Sequence, residues 1–472
     1  MVDNELCFRS AIDLAKDIRE KTLSPVEVVQ NALCKIEEIN PRLNGFCFVY
    51  ADEAIDRARG AEHDVLTGKL VGPLHGVPFA IKDFTPTSGK RTTLGSKIFE
   101  HWVPDYDPPL VDRLLKAGGI MIGKTTTPEF AHSSFTDSPL WGPTRNPWNP
   151  SCTAGGSSGG SAVAVATGCV PIAEGSDAGG SIRIPAALTG TVGLKPSFGR
   201  IPMGILPSAF DSIFHFGPIS RTVSDAGLFL NVTQGPDDRD IMSLPATDPM
   251  DLPIEHCAAD LRLALCPDQG FFALDSDVEI NTQQSAEALR RAGAIVEEVD
   301  LGWTRQIVDD WFQHWAVYLA AFFERHLDEW REHMTPEVVR MIEFGQTVKA
   351  TDFKRLEEAR TKQWVKLQQI LTNYDALLTA TMALPAPPVG GKDSDYDEED
   401  ETGRYRGLDM TCPFNFVSQC PVITVPSGFT REGLPTGLQI VGRRYDESTL
   451  LKTAATLESI NPWIDSRPPV WP

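Results

Sequence analysis

Between residues 153 and 200 the chain reads TAGGSSGGSAVAVATGCVPIAEGSDAGGSIRIPAALTGTVGLKPSFGR, and no other stretch restricts its fold and chemistry as much. Glycine and serine at this density suggest a flexible linker. A linker, however, does not alternate with a Val-Ala run and an Ile-Arg-Ile-Pro run that read as ordered structure. A phosphate cradle needs G-x-x-x-x-G-K-[ST] and a dinucleotide cradle needs G-x-G-x-x-G after a strand; neither glycine cluster supplies them. The elbow G-x-S-x-G fits formally twice, around Ser157 and around Ser158. It requires a strand immediately before it and a histidine partner. Trp141 to Ala154 is instead a proline-punctuated loop, and nothing distinguishes His215 or His256 as that partner.

A fourth reading uses both clusters. Ala178, Gly179, Gly180 and Ser181 offer consecutive backbone N–H groups beside a hydroxyl. Glycines let a backbone approach a developing oxyanion with no side chain in the way. Ser157 sits in the other glycine turn. Lys82 ends the apolar run Val77 to Ile81, where poor hydration lowers a lysine pKa. A lysine base must be uncharged. Moving it from about 10.4 to roughly 7–8 takes about 3–5 kcal/mol of differential desolvation.

The surrounding texture is α/β. Ser24-Pro25-Val26-Glu27 reads as a helix start followed by Val29, Ala32, Leu33 and Ile36 at helical spacing, and residues 1–60 are helical in pattern. From about 70 to 235, short apolar runs (Val77 to Ile81, Ile120 to Ile122, Val192 to Leu194) alternate with Gly- and Pro-rich loops, and a small-residue helix is expected over Gly160 to Thr167. Strands are expected at Leu261 to Cys266, Ala294 to Val299, Val422 to Val425 and Leu438 to Val441, with helices at Ile280 to Ala292 and near 447–458. Residues 305–372 read as strongly helical, with Trp311, Trp315, Phe322, Phe323 and Trp330 as a core stripe or pocket wall. The acidic stretch 390–405 reads as a solvated loop. Without an internal repeat or a clean linker, one domain spanning 1–472 is expected.

The formal net charge of −21 disfavours nucleic acid and anionic membrane faces as partners. Nine dispersed cysteines without a C-x-x-C pair read as reduced thiols. Together with a start (MVDNELCFRS) that lacks a signal-peptide pattern, they lead us to expect a cytoplasmic protein. No apolar run is long enough to span a membrane. The nine histidines form no H-E-x-x-H pair or other ligand spacing, so neither a metal nor another cofactor is expected.

GGSSGGS, GSDAGGSIRIPA and GLKPSFGRIP, with HGVPFAIKD, GKTTTPEFA, CPVITVPSGF and GLPTGLQIVG, resemble the amidase signature family over roughly residues 10 to 460. The resemblance implies a central mixed, mostly parallel twisted sheet covered by helices on both faces. It implies Ser181 as nucleophile, Ser157 as a proton-relaying serine on a cis peptide and Lys82 as base, with the N–H groups of Ala178, Gly179, Gly180 and Ser181 as oxyanion hole. It further implies hydrolysis of small-molecule amides through an acyl-enzyme. Similar proteins also split carbamates, esters or ureas, and homodimers are common among them. Two other functions stay in view: the glutaminase subunit of a tRNA-dependent amidotransferase, and a non-enzymatic binding protein on the same fold. The aromatic supply of 305–372 suits a bulky or aryl substrate.

Around the triad, several residues have two readings each. Asp177 orients the oxyanion loop or makes a plain backbone contact; Arg183 pairs with a substrate carboxylate or braces the fold. Ser158 bonds Lys82 or shapes its turn, and Thr153 is in the same position. Glu174, where the family usually has an apolar or small residue, is a surface carboxylate or touches the site.

Overall fold

The computed structural model describes residues 2–69, 72–259 and 261–469. The ends of the expected 1–472 domain, and residues 70–71 at the start of its expected core, lie outside these. Eleven strands form one mixed sheet: β1 (Phe46–Val49), β2 (Pro78–Lys82), β3 (Ile120–Thr125), β4 (Ile172–Asp177), β5 (Val192–Lys195), β6 (His215–Ser220), β7 (Arg262–Leu265), β8 (Ile295–Glu298), β9 (Ala376–Ala380), β10 (Val422–Phe429) and β11 (Pro435–Gly442). Their spatial order is β1-β3-β2-β4-β6-β5-β10-β11-β9-β7-β8. Parallel pairs flank β2 and join β7 to β8 and β9. The remaining neighbours are antiparallel, so the parallel character lies in two groups where helices connect the strands.

Both faces of the sheet are covered. Along β2, Phe79 and Ile81 enter one apolar cluster while Ala80 enters another. Along β7, Leu263 and Leu265 face the first cluster and Ala264 a third, opposite one. Period-two alternation buried on both sides is what a sheet between two helical layers requires.

Most expected elements form, with edges moved by a few residues. The helix Pro25–Leu43 starts where expected, and the Ser24 hydroxyl accepts hydrogen bonds from the N–H groups of Val26 and Glu27. The N-terminal 60 residues are not helical throughout, because Phe46–Val49 forms an edge strand on β3. Strands β4, β6 and β9 carry too little alternation to be read locally. The segment 305–372 folds as helices Gln306–Phe323, Pro336–Thr347 and Ala350–Asn373, with the one-turn helix Leu327–Trp330 between the first two. Its Trp315 is buried against Phe214 and Tyr318, and Phe323 stacks on Phe130 at 3.9 Å. The stripe is therefore largely core. Trp311 is the exception, and its indole reaches the glycine loop. The acidic stretch 390–405 is exposed yet tied down: Asp393 accepts from Ser133, Arg305 pairs with Asp397, and Tyr405 packs on Phe272. Among the described residues, no helix is long and apolar enough to cross a membrane.

Candidate active site

Strands β2 and β4 run side by side and parallel, and the candidate residues gather at their carboxyl ends, where loops leave a parallel sheet and leave room for a ligand. Lys82 is the last residue of β2. Its chain is fully buried. Its Nζ lies 2.6 Å from Ser157 Oγ and 2.8 Å from Ser176 Oγ. Burial pulls its pKa down to about 7, although the carboxylates of Glu174 and Asp177 pull the other way. A neutral amine at this spot keeps one N–H on Ser176 and turns its lone pair to the Ser157 hydroxyl.

Ser157 follows a cis peptide bond from Gly156 and stands two residues before the helix Gly159–Ala166. Ser181 lies in the loop between β4 and the helix Arg183–Thr189. Its carbonyl accepts from the Ser158 N–H at 3.1 Å, which joins the two glycine clusters through the backbone. Ser157 and Lys82 are fully buried, whereas Ser181 is partly exposed. Among the described residues, the Ser181 hydroxyl and the N–H groups of Ala178, Gly179, Gly180 and Ser181 make no hydrogen bond. Four unengaged donors beside an accessible hydroxyl are free to bond an acceptor oxygen from outside the loop.

Asp177 and Arg183 clasp the loop. Both are fully buried, and the guanidinium grips the carboxylate at 2.9 and 3.0 Å. Asp177 also accepts from the Ile182 N–H and from Asn415. Burial alone would raise its pKa, but the Arg183 charge and these hydrogen bonds outweigh burial and hold it well below the usual carboxylate range. Arg183 spends its other donors on the Thr411 carbonyl, Gln439 and Asn415. All five N–H donors are used inside the protein, so Arg183 braces the fold and has none left for a substrate.

Ser158 does not bond Lys82; its hydroxyl pairs with the main chain of Ser176. Thr153 caps its own turn by accepting from the Gly155 N–H. Glu174 is not at the surface. It is fully buried and accepts from the Lys82 backbone N–H and the Thr85 hydroxyl, both at 2.9 Å, and burial raises its pKa. Ser176, Thr411, Asn415 and Trp311 also belong to the site and carry no motif. Reading 172–177 as a strand would have found Ser176, because period-two alternation sets it on the face of Glu174. Nothing local points to Thr411, Asn415 or Trp311, which arrive from more than 100 residues away. Among the described residues, no three His, Cys, Asp or Glu side chains gather as metal ligands.

The Amidase family model matches residues 27–451. An acylamidase from Rhodococcus erythropolis is 34% identical over 476 residues, covering 99% of this chain and 98% of that protein. A glutamyl-tRNA(Gln) amidotransferase subunit from Chloroflexus aurantiacus is also 34% identical, over 470 residues, covering 94% and 95%. Among solved structures, a bacterial aryl acylamidase of the amidase signature enzymes superposes with a TM-score of 0.91 at 30% identity, covering 97% of each chain.

Proposed function

The chain belongs to the amidase signature family, and from that premise we propose that it hydrolyses linear small-molecule amides, aryl amides foremost, through a Ser181 acyl-enzyme. The observation that carries this reading is the fully buried Lys82 amine 2.6 Å from Ser157 Oγ, beside the accessible Ser181 and its free N–H groups.

In the first step Ser181 Oγ attacks the amide carbonyl. Its proton passes to Ser157, whose own proton passes to Lys82, so the base gains one proton and the substrate oxygen becomes an oxyanion. The N–H groups of residues 178–181 hold that oxyanion, and preorganised donors of this kind are worth about 10²–10³ in kcat each. Collapse expels the amine, which takes the proton back along the same relay. Water, activated by the same pair, then hydrolyses the ester. The residues assigned to this sequence need no metal or cofactor.

The likeness to a solved aryl acylamidase supports an aryl anilide as the first substrate to test. The amidotransferase relative supports a second reading, in which this chain releases ammonia from glutamine inside a complex. Turnover of an aryl anilide by the purified chain separates the two, since a glutaminase component should be nearly idle outside its complex. A fluorophosphonate should label the protein and fail on Ser181→Ala. Unchanged turnover by Ser181→Ala or Lys82→Ala at pH 7 would sink the reading. A panel pairing linear with cyclic amides tests the linear preference.

A further inference from the structure

The loop that carries the free N–H groups is held from behind by two side chains from distant parts of the chain. Trp311 Nε1, on the helix Gln306–Phe323, donates to the Ala178 carbonyl at 2.9 Å. Thr411 Oγ1 donates to the Gly179 carbonyl at 2.5 Å. In a trans peptide the N–H points opposite to the C=O of the same unit. A pinned carbonyl therefore aims the following N–H. Trp311 aims that of Gly179, and Thr411 aims that of Gly180.

Steric fit tightens the hold. A Cβ on Gly179 would lie 2.3 Å from Trp311 Cζ2, and one on Gly180 would lie 1.8 Å from Thr411 Oγ1. Gly180 also has φ +138°, which side chains other than glycine rarely adopt. The Thr411 hydroxyl has one hydrogen and two oxygens in reach, the Gly179 carbonyl and Asp409 Oδ1 at 2.9 Å. Desolvation raises the Asp409 pKa, and its second oxygen accepts from Ser134.

We infer that Trp311 and Thr411 are positioning residues that aim the Gly179 and Gly180 N–H groups at the substrate oxygen, so that the helical segment 306–323 takes part in transition-state stabilisation. This rests on the reading of Ser181 as nucleophile, and it assigns a role to two residues that touch no reacting atom.

The test uses Trp311→Phe, which keeps an aromatic wall without the N–H, and the pair Thr411→Val and Thr411→Ser, which removes and restores the hydroxyl. On an aryl anilide, Trp311→Phe and Thr411→Val should each lower kcat about tenfold to a hundredfold, with KM changed by less than about threefold. Thr411→Ser should recover most of the loss. A boronic acid that forms a tetrahedral adduct on Ser181 should lose affinity in step with kcat/KM. Wild-type kcat and boronate affinity in Thr411→Val would overturn the inference, even if Trp311→Phe fails to fold. Ser181→Ala separates the layers: if it is dead while both positioning variants are fully active, the nucleophile stands and this inference falls. If Ser181→Ala keeps turnover, the underlying reading itself has failed.

Discussion

Lys82 is where burial and charge compete most directly. Desolvation favours the neutral amine, and the Glu174 and Asp177 carboxylates favour the cation; desolvation wins, bringing the pKa to about 7. In the proposed role of base Lys82 works only when unprotonated, so kcat/KM should rise through an acid limb near pH 7, where an ordinary lysine would place it near 10. Glu174 offers a way to move that limb. Glu174→Gln keeps an acceptor for the Lys82 N–H and removes a charge that stabilises the ammonium. The limb should therefore shift to lower pH, measured as kcat/KM against pH with Asp177 intact. An unmoved limb would mean that the Glu174 charge does not reach Lys82. Lys82 was legible because it ends an apolar run. Glu174 was visible only as a departure from the family pattern, since its burial depends on strands paired across many residues of chain.

The loop 178–182 illustrates what elements do that residues cannot. Asp177 ends β4 and Arg183 starts the next helix, so their ion pair closes the loop across its base. Removing one partner of a buried pair leaves an unpaired charge. Arg183→Met should cost about 3–5 kcal/mol of stability, read from urea unfolding, and lower activity through the loosened loop. Little change in the urea midpoint would contradict the clasp. Within the loop, Gly180→Ala should lower the melting temperature and abolish turnover, because a Cβ has no room beside Thr411 and the positive φ strains any residue but glycine; a stable, fully active variant would show that the loop adjusts freely. Helices and apolar strands at this scale were readable from periodicity. Strand β4 was not, because Glu174, Gly175, Ser176 and Asp177 have weak strand preference and are held extended by neighbours on both sides.

The whole sheet is continuous across the chain's two halves. Strand β5, from the glycine-rich half, pairs with β10 from the C-terminal end, and Arg183 bonds Thr411, Asn415 and Gln439. A fragment of residues 70–235 would expose the edge of β5 and leave Arg183 without those partners. It should not fold independently, and circular dichroism with size exclusion should find it disordered or aggregated. A soluble, native-like fragment would mean that the signature region forms a domain of its own.

Sequence by itself determined the α/β class and the family, and it marked out the two glycine-flanked serines and the lysine after an apolar run on which the proposed chemistry rests. Those features are local: turn residues, apolar periodicity and motif spacing act through near neighbours in the chain. Only tertiary structure decided that Glu174 is buried against the Lys82 N–H, that Arg183 is spent on the fold, and that Trp311 and Thr411 stand behind the loop 178–182. Each of these contacts joins residues that the chain separates by many positions and the packed sheet brings together. Their energies, the desolvation of a carboxylate and the aim of a peptide N–H, come into being only once water has been excluded from between them.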